Sequence, residues 1–336
     1  MKGEKMLSAA LAIVLITGVF AASLVDIESH TYAVESDFNV TFASLKEGQI
    51  ATIEEMQAPL TAAAPIPPQI LRPVASGRDV RGNARAEVDV SNMRDGYVMV
   101  RYLAGGGTLI KVLITGPGNV RYTYTLRNDG QWEVFPLSDG NGTYTIGVFR
   151  NVSGNQFATE FTTNITVTLV DEFAPFLRPN QFVNFNENTL AVREASRIVA
   201  GATNNLRKVE RIYDFVINNF TYDRVLAETV QSGYVPDLDR VWRARKGICF
   251  DYASLMTAML RSQGVPTRLV IGYVGPVYHA WISVWTAESG WVDDVIFFNG
   301  RNWVLMDPTF AAGATSSRQL MDLIGDGRNH SARFFH

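Results

Sequence analysis

The chain has one cysteine, Cys249, and four histidines, His30, His279, His330 and His336. A thiol beside an imidazole is the minimum equipment for nucleophilic attack on a carbonyl carbon. A cysteine is by default a small core hydrophobe, so its neighbours decide between packing and chemistry. Cys249 lies in Trp242-Arg243-Ala244-Arg245-Lys246-Gly247-Ile248-Cys249-Phe250-Asp251-Tyr252-Ala253, which runs on to Arg261. The second half of this stretch reads as a helix with Leu255, Ala258 and Met259 on one face, ended by Gly264 and Pro266. Cys249 is thereby expected in the first turn, where free N–H groups and the positive end of the helix dipole favour a thiolate. Gly247 is expected to let a substrate or another segment approach the backbone.

The thiol needs a base, and the base needs an orienting partner. His30 falls in an irregular N-terminal region, and His330 and His336 fall near the C-terminus. His279 instead opens the alternating run His279-Ala280-Trp281-Ile282-Ser283-Val284-Trp285, which follows a second strand-like run at Arg268–Tyr273. A carboxylate at the end of a third strand would fix the imidazole tautomer. Asp307, in Trp303-Val304-Leu305-Met306-Asp307-Pro308-Thr309, is the preferred candidate because the following proline stops a strand. Asp293 and Asp294 compete, but they fall in a turn-like stretch.

Elements that must carry these groups follow from the rest of the pattern. Residues 84–170 hold strand-like runs at Ala86–Val90, Tyr97–Tyr102, Leu109–Ile114, Tyr122–Leu126, Thr143–Phe149 and Phe161–Leu169. Glycine-rich turns separate them, and six or seven strands at this spacing predict an immunoglobulin-like β-sandwich over 81–171. No converging ligand set is visible in it, so its expected role is a spacer or binding platform. An α+β domain is expected over 172–336. Within it, Thr203 is the expected N-cap of a helix bearing Leu206, Val209, Ile212, Tyr213, Val216 and Ile217, and residues 223–240 are expected to be a loop.

Lys2 and Lys5 precede an apolar run from Met6 to Val25, which reads as a signal peptide or an N-terminal membrane anchor over 1–25. Either reading puts the remaining chain outside the cytoplasm, secreted or held at the outer face of the membrane. Residues 26–80 read as an irregular, Pro/Ala-rich linker with Pro59, Pro65, Pro67, Pro68 and Pro73. One cysteine in an exported chain cannot close an internal disulfide. Thirty basic against 33 acidic residues leave a formal charge of −3, with none of the basic excess of a nucleic-acid binder. No Gly-rich phosphate loop follows a strand and no cluster has zinc spacing, so no cofactor or metal is expected.

Gly247-x-Cys249-x-Asp251-x-Ala253, the run Leu260-Arg261-x-x-Gly264-Val265-Pro266-x-Arg268, then His279-Ala280-Trp281 and Trp303-x-x-x-Asp307-Pro308-Thr309 resemble the transglutaminase-like superfamily, in its bacterial extracytoplasmic form. The resemblance spans roughly residues 190–325. It implies a papain-like α+β core with a Cys249–His279–Asp307 triad and thiolate attack on an amide. The resulting thioester is resolved by water or by another amine. The substrate implied is a peptide, a protein or a peptidoglycan-type polymer. The resemblance does not separate hydrolysis from glutamine–lysine cross-linking. Hydrolysis is favoured over that and over a non-catalytic adhesion role because no dedicated amine-donor site is visible and the triad is intact. Relatives often carry Glu where this chain has Ser283, which points to a shift in substrate contacts. The oxyanion would be held by the Cys249 backbone N–H and by the side chain of Tyr222 or Trp242.

Overall fold

The computed structural model describes residues 64–274, 277–287, 290–292, 297–298, 303–304 and 330–336. Residues 1–63, Asp293, Asp294 and Asp307 lie outside the described residues. The architecture is mixed, with β-structure first and a helix-and-sheet half after it. Among the described residues no helix is long and apolar enough to cross a membrane.

The first half contains β1 (Val80–Gly82), β2 (Ala86–Asp89), β3 (Tyr97–Tyr102), β4 (Ile110–Thr115), β5 (Arg121–Leu126), β6 (Glu133–Pro136), β7 (Gly142–Ser153) and β8 (Gln156–Val167). They form two antiparallel four-stranded sheets, β1-β2-β3-β6 and β5-β4-β7-β8. Alternation explains why: in β5 Tyr122, Tyr124 and Leu126 point inward while Arg121 and Thr123 point outward. Both sheets feed one buried cluster, with Val88, Val100 and Phe135 from one and Val112, Tyr124 and Ile146 from the other. Strands β1 and β6 are short and lack a readable alternation, and the sequence pattern does not mark them.

Helix α1 (Leu190–Ile198) and α2 (Asn205–Asn219) open the second half. The cap of α2 is Asn204, whose side chain accepts from the Arg207 N–H at 2.9 Å, and not Thr203 as the sequence suggests. Both residue types cap well, and one residue of register separates them. Then come β9 (Thr221–Tyr222), α3 (Arg224–Thr229), α4 (Leu238–Ala244), β10 (Lys246–Gly247) and α5 (Cys249–Arg261). The expected 223–240 loop therefore holds a short helix and the start of another, capped by Asp223 and Asp237.

The chain continues through β11 (Thr267–Val274), β12 (Val277–Thr286), β13 (Gly290–Val292), β14 (Phe297–Phe298), β15 (Trp303–Val304) and β16 (His330–Phe335). Strands β13-β12-β11-β16 form an antiparallel sheet. Helix α5 packs against β11 and β12 on one side and against α1, α2 and α4 on others. From Asp251 to Arg261 every residue of α5 is buried. The one-sided face read from Leu255, Ala258 and Met259 is thus too narrow, because this helix is the core of its half. Leu255, Met256, Met259 and Leu260 are fully covered, each contributing roughly 2 kcal/mol by burial.

Arg261 ends the helix with no exposed surface. It donates to the carbonyls of Thr267 (2.9 Å), Arg178 (2.7 Å) and His336 (2.5 Å). Loss of hydration lowers its pKa to about 9, so these three oxygens replace the water the guanidinium gave up. The described part of the Pro-rich segment lies against this half, with the Ile66 N–H on the Ser196 carbonyl (3.0 Å) and the Gln69 N–H on that of Ser262 (2.7 Å).

Candidate active site

Cys249 is the first residue of α5, half-buried, following Ile248 in extended conformation (φ −99°, ψ 176°). Helix α4 ends at Arg245, which turns the chain through a left-handed conformation (φ 50°) and stacks over Trp242 at 3.8 Å from the ring centre. Lys246 and Gly247 then pair in parallel with Thr221 and Tyr222. This two-residue ladder fixes Tyr222 beside the backbone that leads into Cys249.

The N-terminus of α5 is locked by Asp251. Its carboxylate reaches back to accept from the Ile248 N–H at 3.0 Å and from the Tyr234 hydroxyl at 2.6 Å, and Arg240 lies 3.4 Å away. Arg240 also donates to the Tyr234 hydroxyl. Burial raises the Asp251 pKa, while Tyr234, Ile248 and Arg240 oppose that shift. Gly247 owes its identity to this fold-back, since a Cβ there would sit 2.7 Å from the Asp251 Cβ. The close approach anticipated at Gly247 is thus made by Asp251, within the same turn. An acid in the first turn interacts favourably with the dipole of its own helix. Here that acid is held by Tyr234, Arg240 and the Ile248 N–H.

His279 sits on β12, opposite Gly272 of β11, with 6% of its surface exposed. Its ring lies at 22° to that of Trp281 with centres 6.4 Å apart. Gly272 is required there: a Cβ would fall 2.2 Å from the Ser331 carbonyl and 2.8 Å from the Trp281 ring. Next door, Tyr278 has its phenol pKa raised by burial first, then by Tyr273 and by Cys249.

Cys249, His279 and Tyr222 line one cavity of about 810 Å³. Trp242 does not line it; its ring stacks on Phe215 at 5.6 Å and 15°. Asp307 lies outside the described residues, as do its competitors Asp293 and Asp294. Ser283 is 1% exposed and opposes Arg268 across the β-ladder, away from the cavity, so the substrate-contact reading of that position does not hold. Among the described residues no group of three His, Cys, Asp or Glu side chains could hold a metal ion.

Several cavity residues carried no local sequence signal. The opposite wall comes from the β-sheet half, through Lys111, Arg121, Tyr122, Thr123 and Thr125. The segment 230–235 between α3 and α4 lines it too. His336 also faces the cavity. It is buried between the two halves, its Nδ1 3.0 Å from the Tyr124 hydroxyl and its ring against Phe182 at 4.8 Å. Burial, helped by Arg261, pushes its pKa down to about 3, so it is neutral. Asp251 was recoverable in principle, because an acid three residues past a helix cap is a known capping pattern.

Residues 193–308 match the model described as the transglutaminase-like superfamily core. An uncharacterised protein of Mycobacterium bovis is 30% identical over 134 residues, 34% of this chain and 36% of that protein. A protein-glutamine gamma-glutamyltransferase of Pseudomonas aeruginosa is 34% identical over 68 residues, 16% of this chain and 10% of that enzyme. The chain thus spans about a third of the first relative and a tenth of the second. A solved structure of a candidate cysteine protease from Cytophaga hutchinsonii aligns over 71% of this chain and 76% of its own, with 17% identity and a TM-score of 0.34.

Proposed function

We propose that the protein is an enzyme that transfers acyl groups from amide bonds of peptides or cell-envelope proteins through a Cys249 thioester, with water as the usual acceptor. The observation that carries this reading is the seating of Cys249 as the first residue of a buried helix, on the cavity that His279 also lines. In the proposed cycle the Cys249 thiolate attacks the amide carbon and forms a C–S bond. The oxyanion is held by the Cys249 N–H and the Tyr222 hydroxyl. His279 then gives its proton to the leaving amine as the C–N bond breaks. A water, deprotonated by His279, attacks the thioester, the C–S bond breaks, and the acid and the thiolate are released. Asp307 is assigned the role of holding the His279 tautomer, on the strength of the sequence motif. Hydrolysis is favoured because the sequence shows no dedicated amine-donor site.

Similarity to the pseudomonad glutamyltransferase supports a second reading, in which an amine takes the place of water. The β-strand half is read as an immunoglobulin-like module, and residues 1–25 as the export signal or anchor that puts the enzyme outside the cytoplasm. The test is incubation of wild type and Cys249→Ala with a peptide library and a labelled primary amine, followed by mass spectrometry. Cys249-dependent gain of water supports hydrolysis, and gain of the amine supports cross-linking. Absence of both from the wild-type samples would sink the enzymatic reading in favour of an adhesion or assembly module.

A further inference from the structure

The cavity at Cys249 is walled by both halves of the molecule, and its charge is one-sided. Among the described residues that line it, Lys111 and Arg121 are the strong bases and there is no Asp or Glu side chain. Both come from the β5-β4-β7-β8 sheet. Lys111 faces Thr125 across the β4–β5 ladder and Arg121 faces Thr115, four residue pairs further along. The Lys111 ammonium donates to the Thr125 hydroxyl at 2.7 Å. Among the described residues neither cation forms an ion pair.

The nearby carboxylates face partners other than these two cations, although Asp139 Oδ2 has no hydrogen-bond partner among the described residues. Asp139 accepts from the Tyr122 hydroxyl at 2.6 Å. Glu133 accepts from Gln181 at 2.9 Å and faces Arg127 at 3.4 Å. Partial burial lowers the Lys111 pKa, which means the fold has already stripped part of its hydration. An anion entering the cavity would replace what the ammonium lost, in a setting where charge pairs are screened less than at an open surface.

We infer that the β-strand half is the specificity wall of the cleft, and that Lys111 and Arg121 select peptides carrying a carboxylate near the scissile amide. This rests on the acyl-transfer reading for the reaction, but the recognition has its own readout. Matched octapeptide libraries that differ only in Glu against Gln are offered to the wild-type protein, and kcat/KM is compared. The same two libraries are titrated against Cys249→Ala to obtain Kd.

The expected result is a preference of at least tenfold for the Glu library in both measurements, weakening between about 50 mM and 500 mM salt. In the double variant Lys111→Met/Arg121→Met the ratio should fall towards one, while Lys111→Arg should keep most of it. Arg121 is exposed, so Arg121→Gln supplies a folded test if the double variant loses its thermal transition. Equal handling of Glu and Gln peptides by wild type, or a preference that survives both substitutions, overturns the inference. Glu-selective binding without turnover would keep it and remove acyl transfer. Turnover without selectivity would do the reverse.

Discussion

His336 offers a quantitative test of how the two halves are joined. Its ring is buried, its Nδ1 lies 3.0 Å from the Tyr124 hydroxyl, and Arg261 stands close enough to oppose a positive charge. The folded pKa is about 3, against an ordinary value of about 6.5 in the unfolded chain. The folded pKa is depressed, so its contribution to stability is present above pH 6.5 and is lost as pH falls towards the folded value. At pH 5 the unfolded histidine is mostly charged and the folded one is not, which disfavours folding by about 2 kcal/mol relative to pH 7. Urea unfolding at pH 7 and pH 5, in wild type and in His336→Asn, isolates this contribution. The loss between the two pH values should be about 2 kcal/mol smaller in the variant. Equal losses in the two proteins would refute the claim that the buried ring is held neutral.

Other consequences are open to direct measurement. Tyr222→Phe should lower kcat by roughly 10²-fold if its hydroxyl meets the oxyanion, as removal of such a donor costs about 3 kcal/mol. A wild-type kcat would remove Tyr222 from the chemistry. Asp251→Ala should cost roughly 2–4 kcal/mol by calorimetry, from the lost cap and the stranded Tyr234 and Ile248 donors. Gly247→Ala should destabilise by about 1–3 kcal/mol through overpacking on Asp251, and the two changes should be less than additive in a double-mutant cycle. Arg261→Met should cost roughly 3 kcal/mol, because the oxygens of Thr267 and Arg178 lose the guanidinium donor and that of His336 keeps only the Leu269 N–H; an unchanged urea midpoint would contradict that.

Local signals were the legible ones. Alternation gave away β5 and much of β7 and β8, because one face of each strand meets the core, whereas β3 was legible from its β-branched and aromatic residues and is buried on both faces. The start of α5 was legible from the helical run after Gly247 and from Gly264 and Pro266 beyond it. The short helices α3 and α4 were hidden by a stretch containing Gly233 and Pro236, which reads as a loop until Asp223 and Asp237 are recognised as caps. Full burial of α5 was also hidden, since burial on every side depends on what packs there. The cavity wall was the least legible feature. Lys111 and Arg121 look like ordinary outward residues of a β-strand, and the sequence does not show that they line the same cavity as Cys249. Trp242 illustrates the converse: an aromatic near the cysteine in sequence, committed instead to Phe215 and Arg245.

The central claim is that Cys249 forms a covalent acyl intermediate with an amide substrate. Rapid acid quench of the wild-type protein with a cleaved peptide, followed by intact-mass and fragment analysis, reads this directly. The account predicts an acyl adduct on Cys249, removable by hydroxylamine and absent from Cys249→Ala. Turnover with no adduct in the wild type, together with undiminished activity of Cys249→Ala, would contradict it.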